Sequence, residues 1–254
     1  MALLLPALSS AKEKSRRSVC GQNIRQDLMA LTMYGDGDDQ GRLPPSTDNR
    51  GAYHSIRLSD FTFTNLVANL SGESNSLYCP NLVHATGKMG GYDPDSGYII
   101  GYSYLAAAAL PVIPKGPSPS WTGPLKADET GEVLADANYW NTTPSELMTI
   151  APHTAAGGTV ATPMVSSTGR ANTSPAASAS NKTSPASMFS SAGSSSASPF
   201  PGFPTPGATS TAMGAAGGNI GWLNGSVIWQ PIHLMKQYPA SIELDGPSGA
   251  FGNW

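Results

Sequence analysis

Apolar residues near the start of the chain recur at helical spacing. Cys20, Ile24, Leu28 and Leu31 are four, four and three positions apart, the period that places side chains on one face of an α-helix. The glycines at 35 and 37 follow directly and are typical of a helix end. This pattern predicts a helix from Ser9 to Tyr34, with a narrow apolar stripe available for a partner surface.

A second pattern predicts a hairpin near the C-terminus. Asn224-Gly225 is a strong signal for a two-residue type I′ turn, because both central positions need positive φ. The expected hairpin covers 219–230 and sets Trp222 opposite Val227 and Ile220 opposite Trp229, on one face. That aromatic face is interpreted as a cap on the core or, alternatively, as a surface for a polymer.

The middle of the chain predicts shorter elements. Residues 61–70 fit a short helix or strand, 98–105 alternate as a strand, and 132–140 fit a strand leading to a turn. Five prolines between Pro111 and Pro124 predict a surface loop. Residues 154–217, rich in Ala, Ser, Thr, Gly and Pro, predict a disordered insertion; an O-glycosylated stalk is the alternative.

Composition narrows the classes of function. With 28 Gly, 22 Pro and 12% charged residues in 254, we expect one modest core. The net charge of -3 gives no global footprint for nucleic acid. At the N-terminus only the seven residues 2–8 are apolar without interruption, whereas a membrane span needs about 20 residues. Its basic residues follow the apolar run, which is the reverse of a secretory signal peptide.

Several motifs together carry a family resemblance. They are the run 2–44, Leu77-Tyr78-Cys79-Pro80, Val133-Leu134-Ala135-Asp136 with Tyr139-Trp140, Pro152-His153-Thr154 and Gly217-Gly218-Asn219-Ile220. In this order they resemble type IV pilin-like proteins of the prepilin cleavage and methylation class, particularly the pseudopilins of type II secretion. The family's processing site, Gly followed by Phe-Thr-Leu-Ile-Glu, does not precede Met1, so we expect either a truncated start or a paralogue without its membrane root. Asn224-Gly225-Ser226 stands where the family has Asp-Gly-His.

The resemblance implies an α+β, pilin-like fold with a long N-terminal helix on a small antiparallel sheet. Its divisions are a stalk helix (1–34), the first part of a globular domain (35–153), the insertion (154–217), and a hairpin with tail (218–254). It also implies a structural, non-enzymatic fibre subunit of the cell envelope, from the inner membrane to the periplasm or an extracellular fibre. Other pilin-like subunits would be its partners, and the inner membrane would be another if the anchoring half exists. The expected assembly residues are Leu4, Leu5, Leu8, Ile24, Leu28 and Leu31.

An alternative is a non-enzymatic binding module for polysaccharide or another polymer on the same scaffold. The basic stretch from Lys12 to Arg17 is interpreted as a solvated helix face or as a contact to anionic lipid. We expect no nucleic acid as a partner and no cofactor. We also expect no catalytic residues, since the sequence has no Gly-x-Ser-x-Gly elbow, no Walker loop and no His-Glu-x-x-His, and its four histidines are widely separated. His153 belongs to a family-like motif, but the sequence offers it no partner.

Two cysteines, Cys20 and Cys79, leave two interpretations open. An even count in an envelope protein permits a disulfide, which would stabilise the fold by about 4 kcal/mol on the chain-entropy model. Two buried thiols are the other. The sequence contains no Cys-x-x-Cys pair that would predict a zinc site. The segment Asp36-Gly37-Asp38-Asp39-Gln40-Gly41 begins like an EF-hand loop but lacks the Glu at the twelfth position. We therefore predict an ordinary turn there and no metal site.

Overall fold

A long helix and antiparallel sheets form the protein, so the predicted α+β class is confirmed. The computed structural model describes residues 4–82, 91–107, 123–142, 148–155, 157–161, 208–243, 246–247 and 249–254. Helix α1 spans Leu4–Gly37 and α2 spans Asp60–Asn69. The predicted helix at 9–34 is thus confirmed and runs further at both ends. Pro6 lies in the first turn, where its missing N–H costs nothing.

The described strands form four sheets, and the strand pairs within them are antiparallel. In chain order the strands are β1 Tyr53–His54, β2 Arg57–Leu58, β3 Tyr92–Asp93, β4 Gly97–Ile99, β5 Tyr102–Tyr104, β6 Glu132–Asp136, β7 Asn138–Asn141, β8 Met148–Ala151, β9 Val160–Ala161, β10 Gly217–Trp222, β11 Val227–Pro231, β12 Gln237–Pro239, β13 Ser241–Glu243, β14 Gly246–Pro247 and β15 Ala250–Asn253. The sheet beneath α1 has the order β11-β10-β6-β5.

Helix α1 buries the face that its periodicity predicted. Cys20, Ile24, Leu28 and Leu31 are all at most 1% exposed and belong to the main hydrophobic core. Ile24, Leu28 and Leu31 therefore pack inside their own domain. The prediction that this stripe contacts a partner is wrong, because the core of the domain already covers it. Leu8 is exposed, and Leu4 and Leu5 lie in the first helical turn.

The close approach of α1 to β10 depends on a glycine. A Cβ atom at Gly221 would lie 2.5 Å from Ile24 Cγ2 and 2.9 Å from Leu28 Cδ1. We expect Gly221→Ala to lower the free energy of unfolding in urea by about 1–3 kcal/mol, because it overpacks this contact. Gly37→Ala is the matched control, since a Cβ there meets nothing within 4 Å; equal losses in both variants would contradict the packing argument.

The hairpin is confirmed, but its predicted register is wrong by one residue. Ile220 pairs with Ile228, and Asn219 pairs with Trp229. The loop has three residues instead of two: Gly225 N donates to Trp222 O, Trp222 N donates to Ser226 O, and Gly225 has a φ of +81°. A type I turn followed by a left-handed glycine is the usual three-residue solution. Trp222 and Trp229 consequently lie on opposite faces, so the predicted shared aromatic face does not form.

Other predictions need smaller corrections. Residues 61–70 are α2, whose N-cap Ser59 accepts a hydrogen bond from Thr62 N. The strand expected at 98–105 is two strands, β4 and β5, in different sheets. The strand expected at 132–140 is likewise divided into β6 and β7. The predicted turn at 36–41 is confirmed, with Asp38 Oδ1 accepting hydrogen bonds from the backbone of Gln40 and Arg42.

The insertion predicted at 154–217 is ordered at both margins. Strand β9 pairs with β8, and Thr154 forms an isolated bridge with Ala215. The segment 162–207 and most of the proline-rich loop at 111–124 lie outside the described residues. Within the described part of the chain, no helix combines the length and the apolar composition that crossing a bilayer requires.

Candidate functional site

A buried polar cluster lies between α1 and the sheet beneath it. Cys20, Cys79, Asp136 and His153 each offer one ligand atom, and these atoms all lie within 4.8 Å of one another. All four residues are at 0% exposure. We call these four residues the Cys-His-Asp cluster. Sequence analysis predicted neither the cluster nor a partner for His153, because its members are spread over more than half of the chain.

Four different elements supply the cluster. Cys20 comes from the buried face of α1, and Cys79 follows a short 3-10 helix at Asn75–Leu77. Asp136 is the last residue of β6, and His153 lies two residues beyond β8. The backbone of Cys79 is held close to Gly101, where an added Cβ would collide with the Cys79 nitrogen. The site therefore forms only when the complete domain is folded.

The two sulfurs are close neighbours. Cys20 Sγ and Cys79 Sγ are 2.9 Å apart, and Cys79 Sγ is 3.9 Å from His153 Nε2. Burial would raise the pKa of Cys79, but the hydrogen bonds from Cys20 and His153 outweigh it and lower the pKa to about 7. Burial and the neighbouring Cys79 raise the pKa of Cys20. Cys79 is therefore the sulfur that more readily becomes a thiolate.

Carboxylates contact both nitrogens of the His153 ring. Nδ1 donates to Glu13 Oε1 at 2.6 Å, and Nε2 is 3.5 Å from Asp136 Oδ2. Burial alone would lower the pKa of His153, but the charge of Asp136 and hydrogen bonds with Cys79 and Glu13 raise it to about 10. His153 is therefore an imidazolium between the carboxyl groups of Glu13 and Asp136, and Arg17 is a second cation beside Glu13.

Glu13 fixes the orientation of the imidazole. It is 4% exposed and also accepts hydrogen bonds from Asn81 Nδ2 at 2.9 Å, Arg17 Nε at 3.1 Å and Gly158 N at 3.2 Å. Burial would raise the pKa of Glu13, but the bonds from His153 and Asn81 lower it to about 2. Glu13 is thus a carboxylate that ties α1 to the loop after β8.

Asp136 has one satisfied oxygen and one without a partner. Oδ2 accepts from Asn219 N at 2.6 Å and from Asn219 Nδ2 at 2.9 Å. Oδ1 is buried and has no hydrogen-bond partner among the residues that the structure describes. Burial raises the pKa of Asp136. An unpartnered buried oxygen is costly, so Oδ1 is available to a ligand.

Arg17 and Trp229 separate the cluster from solvent. The Arg17 guanidinium lies 4.2 Å from the centroid of the Trp229 ring, and the edge of that ring packs on His153 with 5.5 Å between centroids. Arg17 Nη2 also donates to Thr154 O at 3.4 Å. Trp229, predicted as part of an aromatic face, therefore packs on His153 beneath the guanidinium. The Arg17 side chain is 25% exposed, so it lies at the boundary between these packed rings and solvent.

The other histidines do not join the cluster. His54 is buried against the Tyr139 ring, and burial and two neighbouring arginines lower its pKa well below the usual value. His233 is exposed, and His84 lies outside the described residues. The sequence motifs contain all four residues of the cluster, and Cys20 and Cys79 were predicted as one open pairing, but no sequence signal placed His153 and Asp136 beside them.

Comparisons with known proteins leave the chain without an assigned family. No family model, no curated protein and no solved structure matches it. The function must therefore be argued from the chemistry and surface of this chain.

Proposed function

We propose that this protein is a structural subunit of a type II secretion pseudopilus or a type IV pilus-like fibre and acts by helix-mediated assembly. The proposal rests on the pilin-like order of sequence motifs and on the long α1 helix packed on antiparallel strands. At about 1.5 Å per residue, the 34 residues of α1 extend about 50 Å. One observation carries the proposal: an apolar stripe on the solvent-facing side of α1.

This stripe consists of four large apolar side chains along α1. Leu8, Val19, Met29 and Met33 are 68%, 45%, 65% and 55% exposed, respectively. They are separated by eleven, ten and four positions, and at about 3.6 residues per turn this spacing places all four within about 80° around the helix axis, on one side of the helix. This side faces away from the buried stripe. Single exposed apolar residues are common, but a line of four along one helix fits packing against another helix.

The occupant we propose for the stripe is α1 of a second copy of this chain. Two exposed cations of α1, Lys12 and Lys14, lie toward its N-terminal end, and a third, Arg25, lies beyond its middle. The carboxylates Asp36 and Asp39 lie at the C-terminal end of α1 and in the turn after it. Acidic groups at a helix C-terminus oppose the helix dipole, so helix stability does not account for Asp36. Two parallel copies shifted along the helix axis by about 35 Å bring these opposite charges together and set Leu8 of one copy beside Met29 and Met33 of the other.

Replacing Met29, near the C-terminal end of the stripe, tests the assembly. We expect Met29→Asp to shift the full chain toward monomer in sedimentation velocity over a concentration series, because a carboxylate would have to be buried between helices. Ile228→Asp is the matched control: Ile228 is 58% exposed on β11, away from α1, and this variant should associate like the unmodified chain.

A photo-crosslinking residue at position 29 gives an independent readout. We expect crosslinked dimers and higher species through α1 of a second copy, identified by peptide mass spectrometry. High salt should weaken the association, since exposed charges contribute to it. A chain that stays monomeric at every concentration, or crosslinks of equal yield from position 228, would refute assembly through this stripe.

A further inference from the structure

The Cys-His-Asp cluster has the composition of a metal site that its sequence spacing does not reveal. Two thiols, one imidazole and one carboxylate converge at a point where all four side chains are buried. Sulfur and nitrogen ligands in fourfold coordination are typical of zinc in proteins, and a carboxylate oxygen is an accepted fourth ligand. We propose that Cys20, Cys79, His153 and Asp136 bind one zinc-class divalent cation.

The distances between ligand atoms suit this assignment after a small movement of the sulfurs. Metal-ligand distances of about 2.0–2.3 Å place the ligands of a tetrahedral site about 3.3–3.8 Å apart. His153 Nε2 is 3.5 Å from Asp136 Oδ2 and 3.9 Å from Cys79 Sγ. The sulfurs, 2.9 Å apart, lie between a disulfide bond of about 2.05 Å and the tetrahedral spacing. A modest χ1 rotation of Cys20 or Cys79 opens them to it.

The surroundings of His153 favour a metal over a disulfide alone. Ligating histidines usually donate their second ring N–H to a carboxylate, which fixes the ring and its tautomer. Glu13 occupies this position at 2.6 Å from Nδ1, and Nε2 faces the sulfurs and Asp136. A disulfide would account for the two cysteines, but it would require neither this orientation nor the buried carboxylates around it.

Asp136 supports a bound cation independently of the orientation of His153. Asn219 satisfies Oδ2 with two hydrogen bonds, whereas Oδ1 is buried without a partner in the described part of the chain. A cation coordinated by both oxygens of the Asp136 carboxylate would satisfy Oδ1 and keep Oδ2, which lies 3.5 Å from His153 Nε2, as a ligand. The cation would replace the Nε2 proton of His153 and the protons of the two thiols, so metal uptake releases protons to solvent.

Metal analysis of the full chain tests the proposal directly. We expect about one zinc per chain after purification without chelators, measured by inductively coupled plasma mass spectrometry. Replacing zinc with Co²⁺ should give a thiolate-to-cobalt charge-transfer band and the intense visible bands of tetrahedral cobalt. These spectra come from the unmodified protein and do not depend on whether any variant folds.

Variants then assign the ligands. Asp136→Asn and His153→Gln should lose the tetrahedral cobalt spectrum or bind cobalt at least about 100-fold more weakly, whereas the exposed control His233→Gln should retain both spectrum and affinity. Glu13→Gln should keep the spectrum and lower the affinity by about 10–100-fold, as expected for a residue that positions a ligand.

Three outcomes would overturn the proposal. One is a metal-free protein whose mass is lower than that of the reduced chain by two hydrogen atoms and that has no titratable thiol, which would establish the Cys20–Cys79 disulfide instead. Another is a reduced protein with two free thiols that binds no cobalt. The last is bound metal whose stoichiometry and spectrum are unchanged in both Asp136→Asn and His153→Gln.

Discussion

Glu13→Ala should lower the free energy of unfolding by about 3–5 kcal/mol, the usual cost of removing one partner from a buried ionic network. The variant leaves His153 Nδ1 and Asn81 Nδ2 without the carboxylate that both contact. It also removes the acceptor for Arg17 and for the backbone of Gly158. Urea denaturation followed by circular dichroism, under fixed metal conditions, measures the change.

Two further variants distinguish the loss of the Glu13 hydrogen bonds from a general change in the helix propensity of α1. Ser15→Ala changes an exposed position of α1 two residues away and should alter stability by less than about 0.5 kcal/mol. Glu13→Gln keeps the shape and should cause a smaller loss than Glu13→Ala. If Glu13→Ala is no more destabilising than Ser15→Ala, Glu13 does not connect α1 to the loop after β8 in solution.

The second large effect is a dependence of stability on pH that arises from Asp27. This residue is 1% exposed on α1, and Ser76 Oγ donates to its Oδ1 at 2.6 Å. Burial raises the pKa of Asp27 to about 7, although the Ser76 hydrogen bond lowers it. The folded protein therefore keeps the proton up to about pH 7, whereas the unfolded chain releases it near pH 4.

The direction in which stability changes with pH follows from the number of protons that the folded and unfolded states bind. Between about pH 4 and pH 7 the folded state binds more protons than the unfolded state, so the free energy of unfolding falls as the pH rises. A difference of about three pKa units corresponds to about 4 kcal/mol. This contribution of Asp27 is fully present below pH 4, is lost as the pH approaches 7, and changes no further above it.

The comparison of variants isolates Asp27 from the other titrating groups. Asp27→Asn stays neutral, so the difference in stability between it and the unmodified protein should change by about 4 kcal/mol from pH 4 to pH 8. Asp39→Asn, on the exposed turn after α1, is the control. A parallel pH profile for Asp27→Asn and the unmodified protein would mean that Asp27 is ionised in the folded state throughout.

The sequence predicted best those elements whose position is encoded within a few neighbouring residues. The period of Cys20, Ile24 and Leu28 identified the buried face of α1, and Asn224-Gly225 located the hairpin. The register failed because two- and three-residue loops share this Asn-Gly signal, and Gly225 alone takes the left-handed conformation. Because the register differs by one residue, Trp229 lies on the opposite face from Trp222 and packs on the ring of His153.

The Cys-His-Asp cluster could not be predicted in the same way, because no local period connects its members. Residues 20, 79, 136 and 153 come together only when α1 packs on β6 and on the 3-10 helix before Cys79, and when Glu13 holds the loop after β8 against α1. Periodicity explained Cys20 fully as a core residue, and nothing in its neighbourhood indicated a ligand. The apolar stripe was missed for a related reason: Leu8, Val19 and Met29 are too widely spaced to stand out beside the denser buried face.

The ordered margins of the Ala-, Ser- and Thr-rich region bear on how this chain tolerates variation. Thr154 bridges Ala215, Ser210 Oγ donates to Ile150 O, and Thr149 Oγ1 donates to Ala208 O, so the points where the region leaves and rejoins the domain are fixed side by side. The closure entropy of a flexible connection grows only with the logarithm of its length. Related chains can therefore lengthen, shorten or exchange this region during evolution while β8, β10 and the residues around His153 keep their places.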